Sequence, residues 1–125
     1  MEGCIFCKII NKEIKSEVVY EDERFVVFKD INPQAPIHLL LVPKKHISSI
    51  NEMSDEDEKF LDGVFSVIKK VATDLDFANS GYRVVINTGK DSGQEVLHIH
   101  FHILAKRRFS WPPGWKCGFV DAWMS

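Results

Sequence analysis

Short hydrophobic runs separated by polar segments fill the first third of the chain and predict β-strands. Two runs rich in β-branched and aromatic residues, Val18–Tyr20 and Phe25–Lys29, flank the charged segment 21–24. This arrangement is typical of a β-hairpin. Further along, His38–Val42 is apolar after its first residue, follows a proline-rich loop and stops at Pro43. We therefore predict a third, fully buried strand there.

One segment has the periodicity of an amphipathic helix. Ser54 precedes Asp55-Glu56-Asp57, a capping-box pattern with negative charge in the first turn. Beyond it, apolar residues recur at spacings of one, three and four: Phe60, Leu61, Val64, Phe65, Ile68, Val71, Ala72 and Leu75. The stripe predicts one long helix packed against a sheet. A shorter apolar stretch, Ile5–Ile10, predicts a short helix or a turn near the N-terminus.

Two more strands are predicted after the long helix. Tyr82–Asn87 follows a glycine, and Val96–Leu104 follows the loop from Gly89 to Gly93. The tail segment Trp111–Gly114 contains two prolines and cannot form a central strand or a helix. Strands interrupted by a single long helix, with connections too short for parallel crossovers, predict an α+β fold. In that fold the helix packs on one face of an antiparallel sheet.

Size, charge and cysteine content narrow the functional classes. A chain of 125 residues is expected to form one domain, and a net charge of −2 argues against a nucleic-acid-binding protein. No apolar run approaches the ~20 residues that span a bilayer, so we expect no membrane partner. The N-terminus shows no secretory-signal pattern. The three cysteines Cys4, Cys7 and Cys117 cannot all pair within one chain, so we expect free or metal-bound thiols in the cytoplasm.

Candidate chemistry is concentrated in His98, His100 and His102, which alternate with apolar residues. Because side chains on a strand alternate between faces, the three imidazoles share one face and the apolar residues from Leu97 to Ile103 share the other. A metal held by all three is strained, since the outer two Cα atoms are ~13 Å apart on a straight strand. Incidental histidines are the second alternative. We favour the third, nucleophilic catalysis by one imidazole.

Histidine suits attack on phosphorus because of its two ring nitrogens. A neutral imidazole carries a lone pair on one nitrogen and a proton on the other, so a single hydrogen bond decides which nitrogen can attack. A backbone carbonyl on the strand can accept that bond. The phosphoryl-imidazole product is labile enough for water to cleave it, and the neighbouring groups have only to position the substrate and stabilise charge.

Several motifs of this chain resemble one known family. Residues 98–104 match the His-φ-His-φ-His-φ-φ signature of the histidine triad (HIT) superfamily, in which φ is apolar. The resemblance continues through segments 4–10, 30–36, 43–47 and 93–96. The segment Trp111–Gly114 resembles the end of the HINT branch, the histidine triad nucleotide-binding proteins. Two departures are Glu95, where some members carry serine, and Ala105–Arg107, where Gly-Gly-Arg is common.

The resemblance implies a HIT-like fold and an activity. The fold is a five-stranded antiparallel sheet with one long helix and a short N-terminal helix. Two subunits form a homodimer with a continuous ten-stranded sheet. Residues 1–125 would be a single HIT domain, with 105–125 as a C-terminal extension. The implied activity is hydrolysis of purine nucleoside phosphoramidates to the nucleoside monophosphate through a nucleotidyl-histidine intermediate.

The resemblance also implies roles for individual residues. His100 would be the nucleophile, His102 would bind phosphate and His38 would support the site. Asp30 would hold the ribose hydroxyls, and Trp111 would reach toward the partner subunit's site. The purine slot would consist of Phe6, Ile14, Phe28 and Ile31, with Asn87, Gly93, Gln94, Glu95 and Val96 completing the nucleotide site. We expect Glu95 to point away from the phosphate or to meet the leaving amine, because a carboxylate repels phosphate.

A structural zinc site is the remaining implication. Cys4 and Cys7 form a C-x-x-C pair, for which two buried thiols on a short helix are the alternative interpretation. Microbial relatives complete the tetrahedron with two histidines, here His46 and His98, and Cys117 would stay free. The zinc would hold the chain together, and the chemistry itself needs no cofactor.

Three other functions stay open on the sequence. One is hydrolysis of dinucleoside polyphosphates by the same chemistry, against which the HINT-like tail argues. Another is a non-catalytic nucleotide-binding module that signals through partners. The last is a zinc hydrolase that uses metal-bound water.

Overall fold

A single antiparallel sheet organises the chain, and the computed structural model describes it for residues 3–114. Its strands are β1 (Val18–Glu21), β2 (Phe25–Lys29), β3 (Ile37–Pro43), β4 (Tyr82–Ile86) and β5 (Phe101–Ala105). Their order is β1-β2-β3-β5-β4, and all neighbours are antiparallel. The predicted α+β fold with a five-stranded antiparallel sheet is confirmed. Cys117 and the tail beyond residue 114 lie outside the described residues.

The helices are α1 (Ile5–Ile10), α2 (Asp55–Phe60) and α3 (Val64–Asp74). The predicted capping box exists, with Ser54 Oγ accepting from the Asp57 amide at 3.1 Å, but it begins α2 and not the long helix. The helical stretch predicted as continuous breaks at Gly63, whose φ of 84° is left-handed. No helix within residues 3–114 has the length and apolar character needed to cross a membrane.

Helix α3 packs on one face of the sheet through a stripe that differs slightly from the predicted one. Val64, Ile68, Val71 and Ala72 are buried as predicted, together with Val67. The break before α3 resets the phase of the helix. As a result Phe65 and Leu75, which we predicted to be in the stripe, are exposed, Phe65 with 67% of its surface.

The two faces of the sheet carry separate hydrophobic cores. The α3 face contains Phe25, Val27, Leu39, Leu41, Phe101 and Ile103. The opposite face contains Val26, Phe28, Leu40 and Val42, and α1 covers it with Phe6 and Ile9. This division follows from the period of two along each strand. Because His38 and His102 share the α1 face with Leu40, the helix and both histidines lie on the same side of the sheet.

The strand predicted over Val96–Leu104 is shorter in the structure, where β5 begins at Phe101. The preceding residues bond to the loop after β3, and the Ile99 amide donates to the Ile47 carbonyl at 2.6 Å. Ile99 is still buried, as the alternation predicted, but Leu97 is 63% exposed and does not join the core. The period of two therefore holds from residue 99 onward, and His98 and His100 stand just before the strand.

Candidate active site

The three triad imidazoles lie on the α1 side of the sheet but have different surroundings. The Phe6 ring of α1 packs edge-on against His98 and His100, with centroids 5.9 and 5.0 Å apart. The His100 and His102 rings are neighbours, 4.9 Å between centroids. His98 is fully buried and turns toward Cys4. The predicted row of imidazoles thus divides into one ring at a cysteine cluster and two rings at a cavity.

The tautomer of His100 is set by the backbone. Its Nδ1 lies 2.8 Å from the carbonyl oxygen of His98 and donates to it, because a carbonyl can only accept. In the neutral ring the other nitrogen, Nε2, then carries the lone pair. His100 therefore presents a nucleophilic nitrogen, as the carbonyl argument from the sequence anticipated.

A second set of hydrogen bonds fixes His38 and His102. The Gln34 amide donates to His38 Nδ1 at 3.0 Å, so the proton of that neutral ring is on Nε2. His38 Nε2 lies 2.9 Å from His102 Nδ1 and donates a hydrogen bond to it. Asp30 Oδ2 is 3.4 Å from His38 Nε2. His102 must then carry its own proton on Nε2. It offers an N–H donor suited to a phosphate oxygen.

Burial keeps these two rings neutral. It lowers the pKa of His38 below its ordinary value. It lowers the pKa of His102 to about 4, with the adjacent His100 and His38 rings adding to the effect. Both rings are therefore uncharged at neutral pH, as the assigned tautomers require.

A cavity of about 370 Å³ opens at His100 and His102. Its apolar wall is formed by Ile5, Phe6, Ile9, Ile14, Phe28, Ile31, Leu40 and Val96, and its polar rim by Lys15, Ser16, Lys29, Asp30, Asn87, Gly93 and Glu95. The structure thus brings together nearly all the residues that the sequence indicated for a nucleotide. An apolar slot with a few convergent polar groups is typical of small-molecule sites.

Several lining residues were missed from the sequence. Ile9 could have been found, because it lies three positions after Phe6 on α1 and therefore on the same face. Lys15 and Ser16 belong to an irregular segment whose direction no periodicity reveals. Leu40 was assigned only to the buried strand, although a strand residue can line a cavity on one face.

Two indicated residues lie elsewhere. The Gln94 amide group is occupied with loop backbone: its Nε2 donates to the carbonyls of Ser48 and Val96 at 2.8 and 3.1 Å, and its Oε1 accepts from the Gly89 amide. Its side chain orders the loop at the cavity rim and does not line the cavity. Trp111 is 82% exposed. Within one subunit it takes no part in the cavity.

A second cavity, of about 530 Å³, adjoins the first. Asp30, His102 and Glu95 line both cavities, and His38 and Gln34 line only the second. A group bonded to a phosphorus at His100 and His102 could extend into this space. It would meet the Glu95 carboxylate there, which favours a cationic or amine group over an anionic one.

The donor atoms of the cysteine cluster lie close enough together to hold one metal ion. The donor atoms of Cys4, Cys7, His46 and His98 all lie within 4.8 Å of one another. Sulfur-to-nitrogen distances are 3.3–3.5 Å and the two Nδ1 atoms are 3.1 Å apart. Zinc with Zn–S of ~2.3 Å and Zn–N of ~2.1 Å places neighbouring donors about 3.3–3.8 Å apart. His98 Nε2 donates to the Pro43 carbonyl at 2.8 Å, which directs the Nδ1 lone pair to the centre.

The other close group of potential ligands, Asp30, His38 and His102, does not suit a metal. The Gln34 amide donates to His38 Nδ1 and leaves the proton on Nε2, the nitrogen that faces the other two residues. A metal bond to that nitrogen would need the proton moved to Nδ1, where it would oppose the Gln34 N–H. The hydrogen bonding at this group therefore favours a hydrogen-bonded pair of histidines over a metal site.

Comparison with known proteins agrees with this arrangement. The HIT domain family model matches residues 11–109. An uncharacterised HIT-like protein of Synechocystis is 48% identical over 113 residues, covering 90% of this chain and 98% of the relative. The structure of a HIT family hydrolase from Legionella pneumophila superposes with a TM-score of 0.86 at 47% identity, covering 90% of this chain and all of that one.

A histidine triad protein from Clostridium difficile superposes with a TM-score of 0.85 at 45% identity, covering 93% of this chain and 98% of the other. The family model extends over most of the chain and includes the cavity-lining segments from Ile14 to His102. By sequence and by structure, this chain belongs to the HIT family, the histidine triad proteins.

Proposed function

We propose that the protein hydrolyses purine nucleoside phosphoramidates to the nucleoside monophosphate, with His100 as the nucleophile. The observation that carries this proposal is the hydrogen bond from His100 Nδ1 to the His98 carbonyl, which leaves a lone pair on Nε2 at a ring lining the cavity. The Legionella relative, described as a hydrolase, supports the reaction class. The amine leaving group is supported by Glu95, which lines the adjoining cavity as well as the first.

The reaction has two displacement steps. His100 Nε2 attacks the α-phosphorus, the P–N bond to the amine breaks, and the amine leaves after taking up a proton from solvent, to which the attacking water returns one in the second step. The nucleotide is then bonded to His100 and the imidazolium charge is balanced by the phosphate. Water attacks the phosphorus, the bond to Nε2 breaks, and the nucleoside monophosphate and the free imidazole are released. The Nε2–H of His102 stabilises charge on the phosphate oxygens in both steps.

The cavity suits a nucleoside. In this proposal the purine lies in the apolar slot formed by Phe6, Ile14, Phe28 and Ile31, and a volume of about 370 Å³ accommodates a base with its ribose. The Asp30 carboxylate accepts hydrogen bonds from the ribose hydroxyls, with Oδ1 already held by the Asn32 amide at 2.8 Å. His38 acts through His102 and is a positioning residue.

Zinc at Cys4, Cys7, His46 and His98 is proposed as structural. When bound, it would join α1 to the segment that carries the triad, and no step of the reaction passes through it. We also propose a homodimer, in which the β4 edge of the sheet pairs with its copy to give ten continuous strands. Free thiols favour the cytoplasm as the location.

Replacing the nucleophile tests the proposal. We expect His100→Ala to retain AMP binding and to lose at least 10³-fold in kcat for an adenosine phosphoramidate, a magnitude typical of a lost nucleophile. Titration calorimetry with AMP and a product assay measure the two quantities. Retained turnover would contradict the proposal, and loss of binding would indicate that the variant is misfolded.

Dinucleoside polyphosphates provide the competing substrate. Their leaving group is a nucleotide with several negative charges, which the Glu95 carboxylate disfavours. We expect kcat/KM for the phosphoramidate to exceed that for diadenosine polyphosphates. The reverse order would favour the alternative hydrolase, and no turnover of either substrate would favour a nucleotide-binding module.

A further inference from the structure

We propose that Cys4 and Cys7 are an oxidation site at which a peroxide converts the two thiols into an intramolecular disulfide. The pair then ceases to be a metal-ligand pair, and the change reaches the nucleotide cavity. The disulfide and the loss of metal stand independently of the proposed hydrolase activity. Only the effect on nucleotide binding rests on that function.

The pair is placed for a disulfide. Cys4 is the N-cap of α1 and Cys7 lies three residues later, with its amide 3.4 Å from Cys4 Sγ. Residues three apart in a helical turn have Cα atoms about 5 Å apart, within the range of disulfides. The two sulfurs already lie within 4.8 Å of each other, so a bond requires side-chain rotation and little movement of the backbone.

The two thiols differ in access, which assigns their roles. Cys4 lines an open cavity of about 570 Å³ together with His46 and Leu97, whereas Cys7 is buried beneath it. Cys4 Sγ also lies 3.4 Å from His98 Nδ1. A peroxide entering this cavity therefore meets Cys4 first, and Cys7 is the resolving thiol.

The reaction balances with peroxide as the oxidant. The Cys4 sulfur attacks one peroxide oxygen, the O–O bond breaks, and Cys4 becomes a sulfenic acid while water leaves. The Cys7 sulfur displaces the sulfenic oxygen as a second water, and the S–S bond forms. Two thiols and one hydrogen peroxide thus give one disulfide and two waters.

Disulfide formation is incompatible with metal binding at this cluster. An S–S bond of about 2.0 Å draws both sulfurs toward each other and away from the four-donor centre. Neither sulfur is then a thiolate, and only His46 and His98 remain as ligands, half of a tetrahedral set. Oxidation therefore releases the metal.

Two contacts carry the change to the nucleotide cavity. Phe6 lies between the two cysteines in the sequence, lines the cavity and packs against His100. The His98 side chain belongs to the cluster, and its carbonyl accepts a hydrogen bond from His100 Nδ1. A rearranged first turn of α1 and a released His98 ring alter the purine wall and the nucleophile together.

The experiment uses the full-length protein loaded with zinc and treated with increasing hydrogen peroxide. Three readouts are followed: free thiols, intact mass, and zinc released to a chromogenic chelator. We expect two of the three thiols to be lost, the mass to fall by about 2 Da, and one zinc to be released per disulfide. Dithiothreitol should restore the thiols and the capacity to bind zinc, and AMP affinity should fall on oxidation and recover on reduction.

Matched variants separate this outcome from other oxidations. Cys117→Ser retains the Cys4–Cys7 pair and should give the same mass change and zinc release. Cys4→Ser cannot form the disulfide and should show no loss of 2 Da within one chain. Because that variant can also bind zinc poorly, chelator-treated wild-type protein is the second test, and it should form the same disulfide.

Three results would overturn the proposal. They are peroxide-treated protein that keeps its zinc, protein that accumulates sulfinic acid with no disulfide, and a disulfide that involves Cys117. If the disulfide forms and zinc leaves but the reduced protein hydrolyses no nucleotide, the proposed hydrolase function fails while the oxidation site stands. If hydrolysis is observed and no disulfide forms, the reverse holds.

Discussion

At the scale of single residues, hydrogen bonds to nearby backbone groups set the tautomers of the histidines. The His98 carbonyl sets the His100 tautomer, and the Gln34 amide sets that of His38 and, through it, that of His102. From the sequence we could infer the hypothesis that one imidazole is a nucleophile, because alternating histidines on an apolar strand have no packing role. It could not predict the Gln34 contact, since that amide is placed by a loop between two strands.

The buried His102 ring predicts an acid-sensitive stability. Its pKa is lowered to about 4 by burial, so between pH ~6.5 and ~4 the unfolded chain binds a proton that the folded protein excludes. The contribution of the neutral His102 ring to the free energy of unfolding is therefore fully present above pH ~6.5 and is lost as the pH decreases to ~4. His102→Asn should lose less stability than wild type across this window, by roughly 2 kcal/mol.

Urea unfolding at several pH values measures this difference. The metal ligands are common to both proteins, so their acid sensitivity cancels in the comparison. If the free energy of unfolding changed with pH in the same way for wild type and His102→Asn, the pKa of His102 would not be lowered in the folded protein.

Asp30 gives a prediction that separates ribose recognition from folding. Asp30→Asn should raise KM for the nucleotide substrate about 10-fold or more, the value of a hydrogen bond to a charged acceptor. A substrate that lacks both ribose hydroxyls should bind wild type and variant with nearly equal affinity, since the contact is absent in both cases. A variant defect that persists with this substrate would place the Asp30 effect elsewhere.

At the scale of elements, tertiary contacts altered the boundaries that periodicity predicted. The central residues of the strands coincide with the predicted apolar runs, because each inward-facing residue has a buried partner on the next strand. Strand β5 begins later than predicted, because the Ile99 amide donates to the Ile47 carbonyl and not to a neighbouring strand of the sheet. The break before α3 was missed because Gly63 is compatible with a continuous helix at a cost of ~1 kcal/mol.

The helix break predicts a measurable effect of Gly63→Ala. The residue has φ of 84°, and an added Cβ would meet only the end of the Arg24 side chain at 3.6 Å. The cost therefore comes from the backbone, and we expect a loss of about 1–2 kcal/mol in the free energy of unfolding. Ser54→Ala, which removes the cap of α2, is a comparison with an expected loss of about 1 kcal/mol. A neutral Gly63→Ala would mean that the break does not need a left-handed residue.

At the scale of the whole molecule, strand order brings the chemistry together. Since β3 and β5 are neighbours at the inner positions of the sheet, His38 and His102 meet although 64 positions separate them in the sequence. The family resemblance implied most cavity residues, but periodicity could not place α1. Its cover of the histidine face depends on Phe6 and Ile9 packing between strands and imidazoles.

Metal removal tests how far the cysteine cluster supports this assembly. Chelation should lower the thermal midpoint and abolish activity in parallel, because a structural ion holds α1 against the triad segment. Circular dichroism and product release, followed at the same chelator concentrations, compare the two. Activity lost while the melting curve is unchanged would point to a catalytic ion.

The most direct measurement of the central claim is mass spectrometry of the protein quenched during turnover of an adenosine phosphoramidate. The account predicts an adduct with the mass of a nucleotidyl group on His100, transient in wild type and absent from His100→Ala. An adduct on another residue, or rapid turnover with no adduct under single-turnover conditions, would contradict nucleophilic attack by His100.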